Sequence, residues 1–451
     1  LLSAPTLEEL KAAVGAQSFD GPLFDEDPKG HRLSQALQNA SASFDATAPF
    51  RMAIVATSWS EFTKRQTLAG QAMMDPAKWG FLQAQGVLIT DQPPLPPEAK
   101  TVHMYPGQGS QYVGMTADLV QRFTAPAQVW AQADETMIQV LGGETLSGFV
   151  LRSSLSKEEL KEAEDKLKQT EYTQPAMLTA DLAIERTLQA YGHAPDMVAG
   201  HSLGEYAALM SSGILDMDGA LRAAAARGTE MGSVEIDDKG LMASVTAPYE
   251  AVAATLEATE GYVIAANKNS PKMTVIAGET APVQAAMASF EQQGYSCIAL
   301  ATSHAFHSRI VAPANEPLRR FLEGLEIRWP SVPITANVDG TFYPMKGEAS
   351  KPAILEKLAP QMASSVEWTK QIETMYDAGG RVFVEVGPKR ALTMFAMQIL
   401  EDRPHVPVMT NHPKQGGIAS FLTAIGALAL AGRPPQWPAL DSSALQDGFK
   451  A

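Results

Sequence analysis

The chain has 451 residues, 45% of them hydrophobic and 19% charged, with a formal net charge of −15 and a pI near 5.1. That length predicts more than one domain, and the acidic balance argues against nucleic acid and against anionic membrane surfaces as partners. No uninterrupted apolar run is long enough to span a bilayer; the single cysteine, Cys297, excludes an internal disulfide framework or a cysteine metal site and fits a reducing cytoplasm.

The opening Leu1-Leu2-Ser3-Ala4-Pro5-Thr6 has neither a Met nor a basic stretch. It does not read as a signal peptide, and a segment of a longer polypeptide is expected. Residues 6–14 predict a helix opened by a Thr-x-x-Glu capping box, residues 50–56 a strand, Ser60 onward a second capped helix and residues 86–90 another strand. His31 stands alone and is expected to be solvated. The proline-rich run 93–97 is a stiff connector and the predicted boundary of a small α+β unit, residues 1–97.

Residues 101–105 predict a strand that ends in Pro106-Gly107-Gln108-Gly109-Ser110-Gln111. Two glycines let this backbone turn tightly and approach a ligand closely, with Gln108 offering an amide as donor. Residues 153–171 read as a solvated, charge-rich helix, and an apolar helix runs from about 173 to 191. Met197-Val198-Ala199 then leads into Gly200-His201-Ser202-Leu203-Gly204 and a further helix. A Gly-x-Ser-x-Gly between strand and helix is the nucleophile elbow: the sharp turn pushes the serine hydroxyl clear of the backbone, and the Leu203 amide and the helix N-terminus face any anion that forms there. Ser202 is the expected nucleophile.

Residues 220–227 predict an alanine-rich helix carrying Arg222 and Arg227. From 241 the order becomes strand, helix, a hairpin (262–266 and 273–277), helix, strand. That βαββαβ order is the ferredoxin-like signature, inserted within a larger unit. Beyond it come Ser303-His304-Ala305-Phe306-His307-Ser308, a strand at 332–338, a helix from Trp368, a strand at 381–386, and an apolar helix at 421–431 followed by a linker. Strands alternating with helices indicate a parallel sheet with the elbow at a strand's carboxyl end.

A serine hydroxyl needs a base. Of eight histidines, His201 adjoins Ser202 in sequence and points elsewhere. His304 and His307 lie where the insert returns to the larger unit, the place for a cleft. The orienting group expected for the base, Asn337 and its carbonyl, follows the histidines in the chain. That order favours a Ser-His dyad over a carboxylate triad, and a dyad suits a thioester substrate.

These residues resemble the malonyl-CoA:acyl-carrier-protein acyltransferase family, in particular an acyltransferase domain of a type I iterative polyketide or polyunsaturated fatty acid synthase. The matching motifs are Pro-Gly-Gln-Gly-Ser-Gln at 106–111, Thr-Gln-Pro-Ala at 173–176, Gly-His-Ser-Leu-Gly-Glu at 200–205 and Arg-Gly at 227–228. They continue with His-Ala-Phe-His-Ser at 304–308, Ala-Asn-Val-Asp at 336–339 and Glu-Val-Gly-Pro at 385–388. The fold so implied is an α/β-hydrolase-like large subdomain with a parallel sheet (98–232 and 304–412) and an inserted ferredoxin-like small subdomain (233–303). Residues 1–97 resemble a ketosynthase–acyltransferase linker domain, and 413–451 the linker that follows an acyltransferase.

The resemblance implies Ser202 as acylated nucleophile and His307 as general base, with the Leu203 amide and Gln108 as oxyanion hole and the Asn337 carbonyl orienting His307. Gln174, Phe306 and His201 would line the substrate pocket. Arg227 would hold the free carboxylate of malonate as a bidentate pair. Leu203 and Phe306 fall on the malonyl side of the family's preference; Phe306 fills the room of an α-methyl branch, which is worth a factor of about 10 to 200. Implied partners are malonyl-CoA, an acyl carrier protein bearing phosphopantetheine, and a neighbouring ketosynthase of the same polypeptide, with no metal, no tightly bound cofactor and a cytoplasmic location. Two rival readings stand beside it. One is an α/β serine hydrolase or thioesterase; the other is a silent domain that positions its neighbours in a synthase.

Overall fold

The computed structural model describes residues 1–17, 38–39, 41–347 and 352–437. The solitary His31 lies outside the described residues. Strands β1 (Leu2–Ala4), β2 (Phe50–Ile54) and β3 (Val87–Thr90) form an antiparallel sheet in that order. The helices Leu7–Ala16 and Trp59–Ala72 pack on it around Leu10, Val14, Met52 and Leu82. The expected capping box at Thr6 forms only one of its two bonds, Glu9 N to Thr6 Oγ1 at 3.2 Å. The second helix starts one residue earlier than predicted because Ser58 caps it, accepting from Glu61 N at 3.2 Å.

The proline run does not swing free. Leu95 N donates to Ala431 O at 3.0 Å, and buried Arg51 donates to three carbonyls: Leu430 at 3.0 Å, Ala48 at 2.5 Å and Gln92 at 2.6 Å. The apolar helix Gly417–Leu430 therefore packs on β2 as well as on the large sheet, and Leu430 shares a core with Ala53, Val55 and Leu88.

The large sheet has the order β11-β10-β4-β5, from β11 (Val406–Asn411), β10 (Gly380–Pro388), β4 (Lys100–Tyr105) and β5 (Met197–Gly200). All three pairings are parallel. Strands β4, β5 and β10 are buried along nearly their whole length, as parallel strands covered on both faces are. The helix Thr170–Ala190 is buried along most of its length, and Trp368, Ile372 and Phe383 fill a second core with Val102 and Met197. The strand expected at 332–338 is reduced to a bridge: Ile334 pairs parallel to Val198, and Thr335 pairs with Phe342. Val198 N donates to Pro333 O at 2.9 Å, so this short segment flanks β5 without becoming a full strand.

The inserted unit holds β6 (Leu241–Thr246), β7 (Val263–Ser270), β8 (Met273–Gly278) and β9 (Ser296–Ala299), in the antiparallel order β7-β8-β6-β9. The helices Tyr249–Ala258 and Thr280–Gln292 complete the expected βαββαβ unit. Its β7 touches the large unit through the Asn267–Val366 bridge.

Candidate active site

The elbow forms because its neighbours have no side chains to clash. A Cβ on Gly200 would lie 2.0 Å from Gly204 backbone atoms, and one on Gly204 would lie 2.0 Å from Tyr105 O. Ser202 itself takes φ 53°, a left-handed conformation costly for a non-glycine residue. Three bonds hold it there. Ser202 N donates to Asn337 Oδ1 at 2.7 Å, Asn337 Nδ2 donates to Gly200 O at 2.7 Å, and Gln361 Nε2 donates to Ser202 O at 2.6 Å.

His307, also left-handed at φ 58°, sets Nε2 2.6 Å from Ser202 Oγ. Its Nδ1 faces two backbone carbonyls, Ser364 O at 3.1 Å and Gln361 O at 3.2 Å. Carbonyls only accept, so Nδ1 carries the proton and Nε2 is left as the acceptor toward the serine. Burial, then the charge of Arg227, depress the His307 pKa to about 3, so the ring is neutral at physiological pH. His304, the other candidate base, is turned away: Nε2 donates to Val234 O at 2.9 Å, and its ring packs 6.3 Å from that of Phe306.

The structure corrects the expected role of Asn337. Its carbonyl accepts from Glu367 N at 2.9 Å, and nothing of it reaches His307. The asparagine braces the elbow, and Gln361 and Ser364 orient the imidazole. Sequence reading missed both, because a backbone carbonyl acceptor has no residue-type signature.

The Pro106–Gly107–Gln108 turn abuts the elbow. A Cβ on Gly107 would lie 2.5 Å from His201 O and 3.5 Å from Leu203 N, so only glycine fits. Neither the Gln108 nor the Leu203 amide has an acceptor among the described residues. Two free donors beside a serine hydroxyl suit a developing oxyanion. His201 points away from the serine: its Nε2 meets Asn269 Oδ1 at 2.7 Å, and its ring packs against Trp368 and Phe395. It joins the elbow to the inserted unit, so the pocket role expected for it is not what its ring does.

Arg227 is 1% exposed and reaches the nucleophile directly, with Nη2 3.2 Å from Ser202 Oγ. Among the described residues no carboxylate lies within ion-pairing distance, and Nε has no partner at all. Tyr206 lies 5.9 Å beneath the guanidinium. A buried, unpaired guanidinium is costly unless an anion completes it. Gln174, fully buried, donates only to Met231 Sδ at 3.5 Å and leaves Oε1 free. Phe306 is 6% exposed and packed in the same core.

Residues 102–434 match the family described as "Acyl transferase domain". The chain is 34% identical over 303 residues to the malonyl CoA-acyl carrier protein transacylase of Escherichia coli O157:H7, covering 66% of this chain and 92% of that one. It is 29% identical over 380 residues to a polyunsaturated fatty acid synthase subunit from Thraustochytrium sp., covering 82% of this chain but only 13% of that protein's length. In structure it is similar to the acyltransferase domain from the second module of the salinomycin polyketide synthase, with a TM-score of 0.72 at 26% identity, covering 100% of this chain and 97% of that one.

Proposed function

This chain belongs to the acyl transferase domain family, and on that premise we propose that it moves a malonyl group from malonyl-CoA to the phosphopantetheine thiol of an acyl carrier protein. The observation that carries the choice of acyl group is the unpaired Arg227 guanidinium 3.2 Å from Ser202 Oγ. A fixed positive charge beside a nucleophile suits an acyl group with a carboxylate of its own, and the guanidinium fork matches that carboxylate in a bidentate pair.

The reaction is a ping-pong exchange. His307 Nε2 takes the Ser202 hydroxyl proton as Oγ attacks the thioester carbonyl. The Leu203 and Gln108 amides bind the oxyanion. The C–S bond breaks, His307 returns the proton to the departing thiolate, and O-malonyl-Ser202 remains with its carboxylate on Arg227. The carrier thiol then gives its proton to His307 and attacks, and the serine is restored. A neutral base at physiological pH and two free amide donors support this reading. Among the described residues no helix is long and apolar enough to cross a membrane.

We assign residues 98–232 and 304–412 to the large subdomain, 233–303 to the small one, 1–97 to a linker from a neighbouring ketosynthase of a longer cytoplasmic polypeptide, and 413–451 to the linker that follows the acyltransferase. The chemistry as written calls for no metal or bound cofactor. The test is intact mass after exposure to malonyl-CoA, beside acetyl-CoA and a Ser202→Ala control. A malonyl adduct that requires Ser202, and passes to an added holo carrier protein, is the expected result. Steady release of free CoA with neither adduct nor acceptor would instead make the chain a hydrolase. No adduct and no release would make it a silent scaffold.

A further inference from the structure

The loop that carries the Gln108 amide leaves β4 at Pro106 and is met by the carboxyl ends of two other strands of the large sheet. At its start β10 lies close: a Cβ on Gly387 would stand 2.4 Å from Pro106 Cγ. At its far end Tyr112 OH donates to Asn411 Oδ1, on the last residue of β11. Between those two points the tip has little to lean on. Gln108 and Gly109 are exposed, and among the described residues nothing lies within 4 Å of where a Cβ on Gly109 would stand. The Gly109 N–H donates to Gln111 Oε1 at 2.6 Å, inside the loop. Its carbonyl accepts from outside the loop, from Lys389 Nζ at 2.8 Å.

Lys389 follows β10 directly and takes φ 70°, the left-handed region that a residue with a side chain enters only at a cost. An antiparallel bridge to Asn411, the residue that also receives Tyr112, holds it there. A glycine would adopt this backbone without the penalty. What the lysine adds is a charged N–H donor on a stem long enough to cross to Gly109, and a bond from an ammonium is stronger than one between neutral groups. The stem is half-buried and its root is fixed by the bridge, so this donor is better held than that of a loose surface lysine.

Resting on the acyl-transfer reading, we infer that Lys389 is a positioning residue for the oxyanion hole: it pins the Gly109 carbonyl and thereby holds the adjacent Gln108 amide toward Ser202. The other flank of that amide is fixed by packing, since only glycine fits at 107 against His201 O. The Lys389 bond supplies the restraint that packing does not supply at 109. An oxyanion donor works through geometry set in advance, so a loop tip free to shift slows the chemistry more than it weakens binding. Every acyl group passes through the same oxyanion, so the effect is equal for malonyl and acetyl groups, unlike that of Arg227. Lys389 acts through the loop and not on the reacting atoms.

The experiment compares the wild type with Lys389→Met, which keeps a stem and removes the donor, and with Lys389→Gly, which also relieves the left-handed backbone. Single-turnover loading of Ser202 is followed by intact mass over a range of malonyl-CoA and acetyl-CoA concentrations. Both variants are expected to load about tenfold more slowly at saturation, by the same factor for the two thioesters, with half-saturation changed less than about twofold. Hydrogen exchange across residues 106–112 should quicken in Lys389→Met. Lys389→Gly should melt no lower than Lys389→Met and yet be as slow, a combination that a merely structural role would not give; it also carries the test should the methionine variant fold poorly. Wild-type loading in either variant, or unchanged exchange in the loop, overturns the proposal and leaves acyl transfer standing. A loss seen with one thioester only does the same, and so does a loss confined to half-saturation, which would make the lysine a contact for the CoA phosphates. If the wild type loads from neither thioester, the acyl-transfer reading itself fails and this proposal with it.

Discussion

The Arg227 guanidinium sits 3.2 Å from the Ser202 hydroxyl oxygen, with no carboxylate within ion-pairing distance among the described residues. A charge placed there without a partner gives nothing to an uncharged acyl group and a great deal to a malonyl one. Replacing Arg227 by alanine should lower kcat/KM for malonyl-CoA by about 10- to 200-fold, the loss of a charge-assisted bond of about 1.5–3 kcal/mol. The same change should leave acetyl transfer equal or faster. Steady-state rates with both thioesters check this, and equal losses for the two would remove Arg227 from the acyl pocket.

His307 bears on pH dependence. Its folded-state pKa, lowered to about 3, keeps the base form populated far below the usual histidine range. No acid limb near pH 6.5 is expected in the kcat/KM profile for loading of the free enzyme. The linkage to stability has a definite sign. An unfolded chain binds a proton at this histidine below about pH 6.5 and the folded one does not, so stability falls as pH drops from there toward 3. Stopped-flow loading rates between pH 5 and pH 8 test the first point; an inflection at the ordinary histidine value would contradict it.

Asn337 and Gln361 should separate in their effects. Asn337 holds the Ser202 amide and the Gly200 carbonyl, so Asn337→Ala leaves two buried backbone groups unmet and should cost about 1–3 kcal/mol of stability. Gln361→Ala keeps the carbonyl that orients His307 but frees the backbone of Ser202. It should lower kcat about tenfold or more with little change in KM, since a misplaced nucleophile slows chemistry more than binding. Denaturation and kinetics on the two variants distinguish a brace from a positioning group.

Asp181, on the buried helix behind β4 and β10, has neither carboxyl oxygen hydrogen-bonded. Burial first, then the charges of Glu385 and Glu185, raise its pKa well above the carboxylate range. The folded form therefore holds a proton that the unfolded chain gives up near pH 4, and wild-type stability declines with rising pH until the native group also ionises. Asp181→Asn removes that decline. Within that window its advantage over wild type should widen by about 1.4 kcal/mol per pH unit. Melting temperatures at pH 5, 6 and 7 measure the gap, and a gap that stays flat would show the group to be ionised already.

Phe306 is buried, 6% exposed, and packed in the main core. Phe306→Ala should raise the rate with methylmalonyl-CoA relative to malonyl-CoA by a factor of about 10 to 200, the worth of one methyl's room. Competition between the two thioesters, read by adduct mass, decides it.

Much of this site was legible in the chain because its chemistry sits in side chains with fixed motif positions. Ser202, His307 and Arg227 converge as the motifs implied, and the βαββαβ insert follows from alternating patterns that survive folding. What escaped was carried by backbone. The imidazole leans on the carbonyls of Gln361 and Ser364, which any residue type supplies, so Asn337 was credited with work it does not do. The strand expected at 332–338 shrank to isolated bridges at Ile334 and Thr335.

The three carbonyls gathered by Arg51 set a rule for recombination. A chimera spliced at the proline run, or cut before the helix Gly417–Leu430, separates Leu430 from Arg51 and Ala53 from its apolar cover. It would leave a buried guanidinium short of acceptors and an apolar strand face bare. Grafts that carry Arg51 and Leu430 together keep this contact intact; grafts that part them break it.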